Sequence, residues 1–102
     1  MKLYFIKHAP TGGYLPEPAG RQGRGGSHVE PVDANVTAPR IFRSERAAKI
    51  ALNSWLKGKH MHSSGVYHDY EGNPDYWEET EIVPVPTRRR EDMAIVERTI
   101  EL

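Results

Sequence analysis

The side chains that could do chemistry crowd into two stretches of this 102-residue sequence, residues 20–31 and 59–81. Five histidines are present, His8, His28, His60, His62 and His68. His60-x-His62, followed by His68 and Asp69, supplies enough nitrogen and oxygen donors for a zinc or nickel ion. The spacing is not that of a helical HExxH site, and a solvated or hydrogen-bonded imidazole is the commoner outcome. Ser27-His28-Val29-Glu30 contains the residue types of a nucleophilic triad. Triad members normally come from different elements, which neighbours in one loop do not provide. Asp69, Glu71, Asp75, Glu78 and Glu79 could pair two carboxylates for acid–base work, although a solvated acidic loop is by far the commoner outcome for such a run. No catalytic signature emerges. The expectation is a protein that is not an enzyme and needs no cofactor. A metal-dependent enzyme built on His60, His62 and His68 stands as the third reading.

The first stretch, GRQGRGGSHVEP at residues 20–31, holds four glycines and two arginines. Arg21 and Arg24-Gly25-Gly26 look like one copy of an RNA-binding RGG segment. Those segments are usually repeated and terminal, and this one lies between two expected strands. A phosphate-cradling P-loop needs Lys-Ser/Thr after the glycines and a helix directly behind, and neither follows. The remaining reading is an ordered loop, pinned by His28 and Glu30, that borders a binding surface.

Charge is polarised along the chain. Residues 1–59 hold ten Lys/Arg against four Asp/Glu, a balance of +6; residues 60–102 hold four against ten, a balance of −6. Arg40, Arg43, Arg46 and Lys49 surround one expected strand and the helix after it, where they could bind phosphates through counterion release. The acidic half interleaves Tyr67, Tyr70, Tyr76 and Trp77 with carboxylates. Tyrosine and tryptophan are favoured interface anchors, and carboxylates beside them could imitate a nucleic acid to a basic partner. The same aromatics could instead close a small core.

These residues need a scaffold, and the sequence outlines one. Leu3-Tyr4-Phe5-Ile6 reads as a strand, Pro10-Thr11-Gly12-Gly13 as a turn, Tyr14-Leu15 as a short returning strand and Arg40-Ile41-Phe42-Arg43 as a third. Between the last two runs a long Pro- and Gly-rich connection. Ser44 is a helix N-cap and Glu45 suits the positive end of the dipole. Ala48, Ala51, Leu52, Trp55 and Leu56 form one apolar stripe, and Gly58 closes the helix. Residues 59–78 read as a second long loop around a Gly-Asn-Pro-Asp turn, with room for a short hairpin. Glu81–Val85 and Met93–Leu102 complete the set, the latter with Ala94, Val96, Ile100 and Leu102 on its apolar side. The predicted fold class is α+β: one domain over residues 1–102, a single helix packed on a small antiparallel sheet in the order β-β-β-α-β-β, with two long loops.

Absence of cysteine excludes a disulfide scaffold, a thiol nucleophile and a Cys-ligated zinc site. No run approaches the roughly 20 apolar residues of a membrane span, and the opening apolar run meets Lys7 too soon for a signal peptide. The expectation is a soluble cytoplasmic protein.

Four pieces, LYFIKHAPTGGYLP, GRGGSHVEP, PRIFRSERAAKIALNSWLKG and EDMAIVERTIEL, cover over half the chain. In their layout the chain resembles a loose group of small bacteriophage and prophage accessory proteins. The resemblance implies a gene product made in the cytoplasm of an infected bacterium that binds host or defence machinery. The strand–turn–strand–strand–helix plan is also similar to the small hybrid-binding domain at the front of some RNase H enzymes. That domain carries a Trp between its second and third strands, which this chain lacks. The leading expectation is an accessory protein that binds and modulates a host or anti-phage defence protein through Arg21, Arg24, His28, Tyr70, Tyr76 and Trp77. The alternative is a nucleic-acid-binding protein using Arg40, Arg43, Arg46 and Lys49.

Overall fold

A computed structural model describes residues 1–18 and 26–101, with Tyr67 described through its backbone only. Among the described residues the elements are, in chain order, β1 (Lys2–His8), α1 (Glu45–Lys57), β2 (Lys59–His68), β3 (Pro74–Val83) and β4 (Met93–Thr99), with a 3-10 turn at Arg90–Asp92 before β4. The layout is α+β, with one helix and two small antiparallel sheets. β1 pairs with β4, and β2 pairs with β3.

α1 forms where its sequence demands it. Ser44 is extended, and its Oγ accepts the Ala47 N–H at 3.1 Å. Ala48, Leu52 and Trp55 from the apolar stripe are buried, while Ala51 and Leu56 are half-buried. They pack with Ile6, Leu15 and Phe42 into the core, which Met93 and Ile95 of β4 extend. The inward residues of β4 are thus Met93 and Ile95, one position out of step with the expected Ala94 and Val96. The register fixes this, because Ile95 lies opposite the buried Ile6 and Met93 opposite His8. A one-residue shift in a strand moves every side chain to the other face.

Two expected strands shrink to isolated bridges. Tyr14 bridges Lys7 and Val32, Pro16 bridges Pro39, and Phe42 bridges Tyr4. Pro10, Pro16, Pro18, Pro31 and Pro39 stand along these segments and offer no N–H, so no ladder can run through them. The observed order is therefore β-α-β-β-β, with the two bridged segments crossing beside β1.

The largest departure lies after the helix. Residues expected as a loop form two ten-residue strands, and the residues expected as a separate strand from Glu81 become the end of β3. Lys59 pairs with Val83 and His68 with Pro74. Ten residues span about 34 Å, and the hairpin projects from the core as an arm. The radius of gyration is 17.8 Å and the extents are 65 × 33 × 25 Å, against about 13 Å expected for a compact chain of this length. Every described side chain of β3 is exposed. With water on both faces, no alternation of apolar and polar residues exists to announce the strands.

Candidate functional site

The base of the arm is locked by backbone geometry. Gly58 ends α1 with φ 127°, and its N–H bonds the Trp55 carbonyl at 3.2 Å. A Cβ at Gly58 would run into the backbone of Val83 and Pro84. Only glycine lets the helix end and the last residues of β3 approach this closely.

His60 then joins three elements. Its backbone N–H donates to Ser27 Oγ at 2.9 Å, and its carbonyl accepts from His28 Nε2 at 3.0 Å. Its ring Nε2 lies 3.2 Å from Ser54 Oγ and 3.3 Å from the Ser54 carbonyl on α1. Glu30, on the same loop, holds Arg88 at 2.7 Å. His28 and Glu30 do anchor this loop, the first to the arm and the second to the segment before β4.

Arg88 is buried, its side chain 1% exposed. Its Nη1 donates to the Trp55 carbonyl at 2.9 Å, its Nε and Nη2 to Glu30 Oε1 at 3.1 and 2.7 Å, and its guanidinium lies 4.3 Å from the Trp55 ring centre. The indole N–H of Trp55 in turn donates to the Val29 carbonyl at 2.8 Å. One cation therefore closes the C-terminus of α1 and ties it to the first loop.

Above this base opens a cleft of about 760 Å³ between α1 and the arm. Phe42, Ala47, Ile50, Ala51, Trp55 and Met61 give it apolar walls; Ser27, Arg40, Ser54, His60, His62 and Thr80 give it polar ones. Ile50 and Met61 are exposed. Arg40 stacks over Phe42 at 4.7 Å, which keeps its charge at the cleft edge.

The arm presents two faces. Cross-strand pairs Val66–Tyr76 and His60–Ile82 share one face; Gly65–Trp77 and Met61–Glu81 share the other. A Cβ on Gly65 would lie 2.7 Å from the Trp77 indole, so the ring covers Gly65 and supplies the packing a glycine cannot. The tip is preformed. Asp69 Oδ1 accepts from the N–H groups of Glu71 and Asn73, both at 2.9 Å, and Gly72 takes φ 82°. Tyr70 stands wholly in solvent on this turn and Tyr76 is 77% exposed.

The expected site residues meet different fates. Arg21 and Arg24 lie outside the described residues. His28 borders the cleft through its bond to His60. Tyr70, Tyr76 and Trp77 all belong to the arm but form no single patch, because Tyr76 and Trp77 are adjacent in a strand and point to opposite faces. In the alternative basic set, Lys49 is paired with Glu45 at 3.0 Å and Arg40 is stacked on Phe42. Arg43 and Arg46 are exposed. The three histidines do not converge. They share one face of β2, yet His62 and His68 are six residues apart, about 20 Å along a strand. Among the described residues no group of three potential metal ligands comes together. Ser27, His28 and Glu30 point to His60 and Arg88 rather than to one another.

Reasoning from sequence missed Arg88, Ile50 and Met61. Arg88 lies in an Arg88-Arg89-Arg90 run that reads as a charged turn, and nothing local marks the first arginine as buried. Arg89 behaves as expected of a surface charge: it pairs with Glu91 at 2.6 Å. The Glu91 carboxyl is held below its ordinary range by its own backbone N–H and by that guanidinium.

No family model, curated protein or solved structure matches the chain. Among the described residues, no helix is long and apolar enough to cross a membrane.

Proposed function

We propose that this protein is a non-enzymatic phage accessory factor that binds and modulates a host or defence protein, with the β2–β3 arm as its binding element. The phage context rests on the sequence resemblance. The binding element rests on one observation: Tyr70 and Tyr76 project into solvent from a preformed arm whose own folding does not bury them. Rigid, exposed aromatics lose little conformational entropy on docking and recur as anchors of protein interfaces. The arm is also acidic. Residues 59–83 carry Lys59 against Asp69, Glu71, Asp75, Glu78, Glu79 and Glu81, a balance of −5. That charge favours a basic protein surface over a phosphate backbone.

The test is affinity capture from bacterial lysate with the tagged full chain and with a Tyr70→Ala/Tyr76→Ala variant, after nuclease treatment and high-salt washing. One host protein recovered near equal stoichiometry by the wild type, and lost with the variant, supports the reading. Capture that the variant retains removes the arm from the interface. Capture that vanishes with nuclease redirects attention to Arg40, Arg43, Arg46 and Lys49.

A further inference from the structure

The cleft between α1 and the arm holds a cation without a partner. Arg40 is half-buried, its guanidinium 4.7 Å from the Phe42 ring centre and its backbone N–H fixed to the Leu15 carbonyl at 2.9 Å. Among the described residues no carboxylate forms an ion pair with it, and residues 19–25 contain no Asp or Glu. Charges drawn partly out of water are normally paired. Arg88 follows that rule with Glu30; Arg40 does not.

The lining points the same way. The chain has 14 Asp and Glu residues, yet among the described residues none lines the cleft. β3 carries Glu78, Glu79 and Glu81 and lends only Thr80 to the wall. Apolar groups are left open beside the charge. Ile50 of α1 is 59% exposed and Met61 of β2 is 45% exposed, and the buried Phe42 and Trp55 join them in the lining. His62 and Thr80, opposite each other in the arm, add hydrogen-bonding side chains.

We propose that this cleft is the binding site of a small organic carboxylate with an aromatic or branched apolar body. The guanidinium fork of Arg40 takes the carboxylate through two parallel N–H bonds, a geometry that suits arginine. The apolar body covers Ile50 and Met61 and removes them from water. Both halves of the ligand are needed. A bare inorganic anion leaves Ile50 and Met61 exposed, and a neutral apolar molecule leaves Arg40 unpaired. The volume of about 760 Å³ lies within the roughly 300–1,000 Å³ of pockets that take small molecules. The proposal does not depend on what Tyr70 and Tyr76 bind.

The probe is 2-naphthoate, titrated into the nitrogen-15-labelled full chain and followed by amide shifts, with 2-naphthamide as its neutral counterpart. The expected result is saturable binding with Kd below about 1 mM, and at least about fivefold weaker binding of the amide. The shifts concentrate at Ile50, Ala51, Met61 and His62. Arg40→Gln weakens the carboxylate about tenfold and abolishes its advantage over the amide. Ile50→Glu, an exchange at an exposed helix position, introduces a carboxylate into the cleft wall and also weakens 2-naphthoate about tenfold. Absence of saturable shifts overturns the proposal. So does equal binding of acid and amide, or a set of shifts centred outside the cleft. Should Arg40→Gln misfold by circular dichroism, the acid–amide comparison and Ile50→Glu decide.

Discussion

Replacing Arg88 by alanine is expected to cost about 3 kcal/mol, a large share of the 5–15 kcal/mol that holds a domain of this kind together. Three effects contribute. The Trp55 carbonyl loses its charged donor at 2.9 Å but keeps the Gly58 N–H at 3.2 Å, so that loss sits near the lower end of the 1.5–3 kcal/mol range for charged hydrogen bonds. The guanidinium over the Trp55 ring, 4.3 Å away and desolvated, adds about 1–2 kcal/mol. The ion pair adds less, about 1 kcal/mol, because the Glu30 side chain is 51% exposed and rehydrates when its partner is gone. The sum is rounded down because the three share one side chain and do not add fully. In thermal unfolding, about 3 kcal/mol corresponds to a drop in Tm of roughly 12–24 °C. Arg88→Lys keeps a charge but cannot reach both the helix end and Glu30, so it is expected to recover less than half of the loss. Glu30→Gln is expected to lower Tm by only a few degrees. A Tm within about 4 °C of wild type for Arg88→Ala would refute the placement of this arginine as the clasp of the core. A Glu30→Gln penalty as large as that of Arg88→Ala would refute the ranking of its contacts.

Four further outcomes are expected. Gly58→Ala costs about 3 kcal/mol or more, because the new methyl meets backbone at a positive φ; circular dichroism melts measure it, and a change under about 1 kcal/mol would show that helix and arm are not so closely joined. Ser44→Ala removes the N-cap of α1 and lowers stability by about 1 kcal/mol in denaturant titration, with unchanged m-value. Trp77→Ala uncovers Gly65 and raises protease cleavage within residues 59–83, while the melt of the body stays within about 1 kcal/mol of wild type. Glu91 contributes through a carboxyl lowered in the folded state, so its stabilisation is present above the unfolded-state value and lost as pH falls through the folded-state one. Wild type and Glu91→Gln should therefore converge in acid and separate toward neutral pH, and a constant offset across that window would contradict the assignment.

What the sequence determined by itself is the local and the periodic. The Ser44 cap, the stripe through Ala48, Leu52 and Trp55, the Gly58 terminus and the opening strand all rest on interactions within a few residues, and each stands where the pattern places it. His28 and Glu30 as anchors of the first loop were legible too, as the polar side chains that directly follow its glycines. The tertiary structure alone decided the rest. Pairing across distant parts of the chain reduced two expected strands to isolated bridges. The pairing of β4 with β1 chose Met93 and Ile95 over their neighbours. Arg88 became buried because Trp55, Val29 and Glu30, far apart in sequence, surround it. The full ten-residue length of the arm's strands escaped detection for the opposite reason: the arm buries almost nothing, and binary patterning reports burial rather than pairing. The Gly-Asn-Pro-Asp turn at its tip was legible and left room for a short hairpin, but the length of the strands is written in their cross-strand register, which becomes visible only once both are in place.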